Sequence, residues 1–209
     1  MSKSSATPLY YAALCGFQDL VEHLTVNDPK QVKAIGGHYV TPLVAALAKG
    51  HFQTAKFLSD NGAPPNVRGF EKMTPLLSAA YNGDFKMSQV LLKYKADIHA
   101  RNDDGKTALH LASHRNSGQQ PNIGPSLSNV ARLLLEHGAD INARMDGILE
   151  HYTLLHLVAE VGRVEVVPML LQHGANVGVK DGSGRTALQI ASAFGRNEIM
   201  KLLSEHGAM

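Results

Sequence analysis

The feature that most constrains this chain is a signal that recurs six times: a Thr, a small or apolar residue, then Leu. The six Thr residues are Thr7, Thr41, Thr74, Thr107, Thr153 and Thr186, so the steps are 34, 33, 33, 46 and 33 residues. Self-similarity at one period means that each unit must meet the same neighbours in the same way, which points to a stacked array.

Within each unit the residue types predict two helices. Thr is a good N-cap, because its hydroxyl accepts a free N–H of the first turn, and Pro follows it at Pro8, Pro42 and Pro75, where a missing N–H is harmless. Small pairs such as Ala12-Ala13, Ala45-Ala46 and Ala79-Ala80 then allow close helix approach. Nine residues after the Thr stands Gly16, Gly50, Gly83, Gly162 or Gly195, suited to the positive φ that stops a helix. A second helix follows, with apolar residues at helical spacing, as in Val90-Leu91-Leu92 and Val166-Val167 with Leu170-Leu171. It closes on "NGA", "HGA", "HGA" and "HGA", but on "YKA" at Tyr94 to Ala96, where Lys95 takes the glycine slot.

This unit resembles the ankyrin repeat, most clearly in "DDGKTALHLA" (Asp103 to Ala112) and "LLLEHGADINA" (Leu133 to Ala143). The resemblance covers nearly the whole chain and implies an all-α solenoid of six helix-turn-helix units joined by β-turn loops. It forms one domain over residues 1–209, with repeats starting near 7, 41, 74, 107, 153 and 186. No single helix pair buries both of its faces, so the units share one continuous core. Repeat 1 departs most from the pattern, with "LTVNDPKQVKAIGGHYV" in place of the usual helix end.

Two departures fall in the long step. "HRNSGQQPNIGPSLSN", His114 to Asn129, reads as a surface loop inserted within repeat 4 at 115–126, either a tolerated addition or a contact surface of its own. The next loop, Ala139 to Thr153, carries Ile148, Leu149 and Tyr152 where polar residues are usual. These side chains either tuck back onto the body or form an exposed hot spot. Pro168 falls in the first turn of a second helix and predicts a mild kink.

Motifs for chemistry fail on context. Gly182, Gly184 and Ala187 in "KDGSGRTALQIA" fit G-x-G-x-x-A, yet a helix end precedes them where a dinucleotide site needs a strand. "DGKT", Asp104 to Thr107, lacks the first Gly of a phosphate loop, since Ala100 stands there. His110 and His114 are four apart, but Leu111 replaces the Glu of a zinc protease, and the His of T-x-L-H has a structural role by position. The expectation is a non-catalytic protein with no cofactor and no metal.

A formal charge of +2, from 20 basic and 18 acidic residues, gives no bulk attraction to nucleic acid or a membrane. No run of 18 apolar residues appears, and the single Cys15 predicts a reducing compartment, cytoplasmic or nuclear.

The resemblance further implies that a protein partner docks on the exposed side of the first helices and on the loop tips. On this sequence the variable helix positions include Tyr81, Asn82, His114, Arg115, Glu160 and Phe194. Tyr81, Arg115 and Phe194 lead, since aromatic and Arg side chains dominate interface energies. Five residues after each G-A alanine stands a cation, Arg68, Arg101, Arg144 or Lys180, which form either a column attracting an acidic partner segment or ordinary solvated charges. Tyr39, Phe70, Asp103, Leu149, Tyr152 and Arg185 complete the loop candidates. The leading expectation is a monomeric scaffold or adaptor, and the alternative is the sensing or targeting part of a larger enzyme or signalling receptor. The incomplete loops at both ends, before Thr7 and after "HGA", motivate that alternative.

Overall fold

The structure, a computed structural model, describes residues 6–114, 124–145 and 151–207. Its helices form six hairpin pairs: α1 (Pro8–Cys15) and α2 (Gln18–Asn27), α3 (Pro42–Ala48) and α4 (Phe52–Asp60), α5 (Pro75–Asn82) and α6 (Phe85–Lys93), α7 (Ala108–His114) and α8 (Gly124–Glu136), α9 (Leu154–Val161) and α10 (Val167–Gln172), α11 (Ala187–Ala193) and α12 (Asn197–Glu205). First helices stack on one another from α1 through α11, and second helices form an outer layer, with α2 on α4, α4 on α6 and α6 on α8. Among the described residues the only sheet-like pairing is two antiparallel bridges, Arg144 with Thr153 and Lys180 with Thr186.

The recurrent Thr residues start the first helices. Thr7, Thr41, Thr74 and Thr186 accept the N–H of Tyr10, Val44, Leu77 and Gln189 on their hydroxyls. In repeats 4 and 5 the His of T-x-L-H completes the cap: Nδ1 of His110 accepts the Thr107 N–H at 3.2 Å, and Nδ1 of His156 accepts the Thr153 N–H at 3.1 Å. Gln189 does the same for Thr186 in repeat 6. These histidines are thus fixed as helix caps.

Between the helices lies one core. The Leu of the repeated signal is fully buried at Leu9, Leu43, Leu76 and Leu109, each contributing about 2 kcal/mol of apolar burial. Leu188, in the last pair, is only partly buried.

Neighbouring repeats are also laced by polar contacts in register. Asn66 Oδ1 accepts the Asp97 N–H at 2.7 Å while its amide donates to the Lys95 carbonyl. Asn142 repeats this with the Asn176 N–H and the Gly174 carbonyl. Similarly, His51 reaches the Leu14 carbonyl and Arg196 the Glu160 carbonyl, each binding the open end of the preceding first helix.

One expectation needs correction. The chain is already helical from Gly124, so residues 124–129 extend the second helix of repeat 4 and do not belong to a loop. Pro125 stands near its start, where a residue without an N–H is tolerated. Pro168 lies just after a change of helix type: Val164–Val166 is a 3₁₀ turn, and α10 begins at Val167. Without an N–H, Pro168 cannot donate back to Val164, so the first turn tightens.

Candidate functional site

Two of the first helices end on exposed aromatic groups. Tyr81 is 47% exposed at the end of α5 and Phe194 is 48% exposed just beyond α11, with Asn82 exposed beside Tyr81. Glu160 is only half-buried at the equivalent place in α9, because Arg196 of the next repeat lies over its carbonyl.

Three sequence candidates, Tyr39 from one loop and Tyr81 with Asn82 from the end of α5, line one cavity of about 300 Å³ between repeats 2 and 3. Val44, Ala48, Met73 and Ser78 supply more of its wall, and His38 stands edge-on to the Tyr39 ring at 4.9 Å. Tyr39 is held in place from two sides. Its N–H donates to the Tyr10 hydroxyl at 3.1 Å, and the Lys49 ammonium lies 5.9 Å from its ring centre. The loops beside the cavity are strained: Val40 has φ 70°, and Glu71 and Lys72 both have φ 53°. A β-branched residue in the left-handed region is unusual, and such strain persists only where surrounding bonds enforce it. Here the Gly36 N–H donates to the Val40 carbonyl at 2.8 Å and the Gly69 N–H to the Met73 carbonyl at 2.8 Å. Val44 and Ser78 were not among the sequence candidates, because helical periodicity makes them look like core, while His38 and Met73 stand in loops and are brought to the cavity only by the fold.

The basic positions divide. Arg68, Arg144 and Lys180 are exposed, and the bridges of Arg144 and Lys180 to the next Thr put them in the same loop register. Arg101 is half-buried, and its guanidinium donates to the carbonyls of Gly105 and Arg144, tying one loop to the next. Asp103 pairs with Lys72 at 2.7 Å and donates its N–H to the Glu71 carbonyl, so it too joins adjacent loops.

At the other end of the surface Tyr152 corrects the hot-spot alternative. It is 5% exposed, its ring lies 5.4 Å from that of His156, and its N–H-to-carbonyl surroundings include the Met145 N–H on its own carbonyl at 2.7 Å. Burial, and then the Glu160 carboxylate, push the Tyr152 hydroxyl above its ordinary pKa. The ring is drawn in because apolar surface beside the repeat body gains more from contact than from water. Arg185 forks onto the buried Asp181, with Nε at 3.0 Å and Nη2 at 2.9 Å from Oδ2. Burial raises the Asp181 pKa, but hydrogen bonds from the Arg185 backbone and side chain and the Ser183 N–H outweigh it and hold the carboxyl below its usual range. Arg185 therefore shapes its own turn and leaves part of its side chain in solvent.

Arg115 and Leu149 lie outside the described residues, as do the side chains of Phe70 and His114. Among the described residues no group of three or more His, Cys, Asp or Glu is placed to hold a metal ion. No described helix is long and apolar enough to cross a membrane.

The chain matches the family model for ankyrin repeats over residues 43–145 and 126–209. It is 28% identical over 202 residues to the human transient receptor potential cation channel subfamily A member 1, covering 81% of this chain and 18% of that protein. It is 30% identical over 218 residues to mouse ankyrin repeat and SOCS box protein 16, covering 88% of this chain and 47% of that one. Among solved structures, the ankyrin repeat domain of Bcl-3 superposes with a TM-score of 0.85 at 29% identity, over 97% of this chain and 87% of that domain. The chain thus spans less than half the length of these two curated relatives.

Proposed function

The chain belongs to the ankyrin repeat family, and from that premise we propose that it is a non-catalytic protein-interaction module that holds a protein partner on its first-helix face and loop tips. The observation that carries this reading is the convergence of Tyr39, Tyr81 and Asn82 from successive repeats on one open cavity. Exposed aromatic side chains around a concave apolar site are what protein interfaces use for anchors. The module works as a scaffold or adaptor monomer in a reducing compartment, the cytoplasm or nucleus, consistent with its single cysteine, Cys15.

Site-directed photo-crosslinking tests it. A photoreactive residue in place of Tyr81 or Phe194 should trap one discrete protein in cells, while the same group at Val26, exposed on the outer helix α2, should not. Equal labelling from all three positions, or none from any, rejects the reading.

A second reading has its own support: this array serves as the sensing or targeting part of a larger enzyme or signalling receptor. It rests on the small shares, 18% and 47%, that the chain covers of the two relatives. An antibody against the array that detects only a native protein of about this chain's 22.5 kDa in cells would remove it.

A further inference from the structure

We propose that the cavity between repeats 2 and 3 is an anchor pocket for one bulky apolar side chain carried by an acidic, extended segment of a partner protein. This deepens the interaction-module reading and rests on it.

Size sets the first limit. About 300 Å³ lies at the small end of binding pockets, enough for a single large side chain with its backbone and not for an extended apolar ligand. The walls are mostly apolar, with the Tyr39 and Tyr81 rings from successive repeats beside Val44, Ala48 and Met73, so water against them is displaced favourably by a hydrocarbon or aromatic group. At the rim, the exposed Asn82 amide offers a donor and an acceptor to one peptide unit of an extended chain.

Charge fixes what surrounds the anchor. Lys49 sits over Tyr39, and Arg68 is exposed next to Gly69 of the cavity wall. Against them the same loops set Glu71, while Lys72 is already balanced by Asp103 at 2.7 Å. The protein as a whole carries 20 basic and 18 acidic residues, so this excess is local to the pocket and not a bulk property. A segment with carboxylates on both sides of its anchor complements it, gaining chiefly in association rate and selectivity.

Strain explains why the pocket is ready-made. Val40, Glu71 and Lys72 stay in the left-handed region beside the cavity, so the loops are held in a binding shape before any partner arrives and little ordering is left for the complex.

The test is a random peptide library displayed on phage and panned against the whole chain, followed by fluorescence anisotropy with the synthetic consensus peptide. Enriched peptides should carry one Phe, Trp, Leu or Met between Asp and Glu residues. Their binding should weaken about tenfold or more in Tyr81→Ala, the loss of a hot-spot contact. It should weaken also in Lys49→Glu, and fall as salt rises. Ala48→Trp, which fills the cavity from its wall and removes no contact, should block binding while the melting temperature stays near that of the parent. Enrichment of peptides without acidic residues, or failure to enrich any, overturns the proposal. So does binding that ignores Tyr81→Ala and Ala48→Trp but is lost in Phe194→Ala, a result that keeps the interaction-module reading and moves its site to the other end. Crosslinking from Tyr81 to a partner, combined with panning that returns only basic or uncharged peptides, likewise rejects this pocket chemistry alone.

Discussion

The Arg196 guanidinium occupies the space in which a Cβ on Gly162 would stand, with Nε 2.9 Å from that point. Gly162 closes α9 at φ 89°, and Arg196 from the next repeat crosses it to reach the Glu160 carbonyl through Nε and Nη2 at 3.3 and 3.2 Å. Gly16 and His51 repeat this relationship at the other end of the array, where a Cβ on Gly16 would lie 2.5 Å from the His51 ring. One glycine therefore serves both to end a helix and to admit the next repeat.

Gly162→Ala should destabilise the protein more than Gly195→Ala. Gly195 has φ 65° but nothing within 4 Å of its missing Cβ, so its substitution pays only the left-handed penalty of about 1 kcal/mol. At Gly162 the displaced guanidinium also loses its carbonyl, adding about 1 kcal/mol. Urea unfolding of both variants measures the difference, and in an Arg196→Ala background, where the carbonyl contact is already gone, Gly162→Ala should cost no more than Gly195→Ala.

Lys95→Gly should stabilise by about 1 kcal/mol. Lys95 is the residue that takes the glycine slot after α6, and it adopts φ 61° there, a conformation that costs a side-chain-bearing residue about that amount. The Asn66 contact to the residue 95 carbonyl uses the backbone alone and survives. A urea midpoint that rises at unchanged slope confirms the gain; a lowered midpoint refutes it.

Acid should weaken the fold through His110. Burial, then the Arg101 charge, lowers its pKa to about 4, and its Nδ1 must stay unprotonated to accept the Thr107 N–H. The unfolded chain, with an ordinary value near 6.5, binds more protons between these limits, so stability is complete above that window and falls as pH drops through it to about 4. The loss from this residue is on the order of 3 kcal/mol. His156, lowered by burial, acts in the same direction. His110→Gln, copying the cap that Gln189 makes, should flatten the pH dependence of urea unfolding; an unchanged acid limb would count against the assignment.

Tyr152→Ala should behave as a core truncation, destabilising by about 3 kcal/mol, whereas Tyr81→Ala should change stability by less than about 0.5 kcal/mol. The contrast follows from 5% against 47% exposure. Thermal melts of the two variants side by side decide it.

Much of this was legible in the chain because a repeat multiplies each weak signal. Thr7 alone is a possible cap, while six such residues at one period, each followed by Leu, leave little choice of helix start. The site was legible in pieces: Tyr81 and Asn82 stand out as variable helix positions and Tyr39 as a loop residue, and nothing in the spacing of the two places said that they share a cavity. Arg101 looked like one more loop cation, since a guanidinium bonded to carbonyls across 43 residues has the same local sequence as one in water. The helical start of α8 at Gly124 was hidden by Gly, Pro and Ser residues that read as loop, though the same residues are suited to a first helical turn.

The sequence by itself determined the repeat, its caps and its buried leucines, because those depend on contacts within a unit and on apolar periods that each copy restates. Tertiary structure decided which side chains reach across units: Arg101 tied its loop to the Arg144 carbonyl, Arg196 crossed Gly162 to the Glu160 carbonyl, and Tyr39 met Tyr81 around an open pocket. Those outcomes depend on the stacking of one repeat on the next, and stacking geometry is set by every core residue together and by no single stretch of chain.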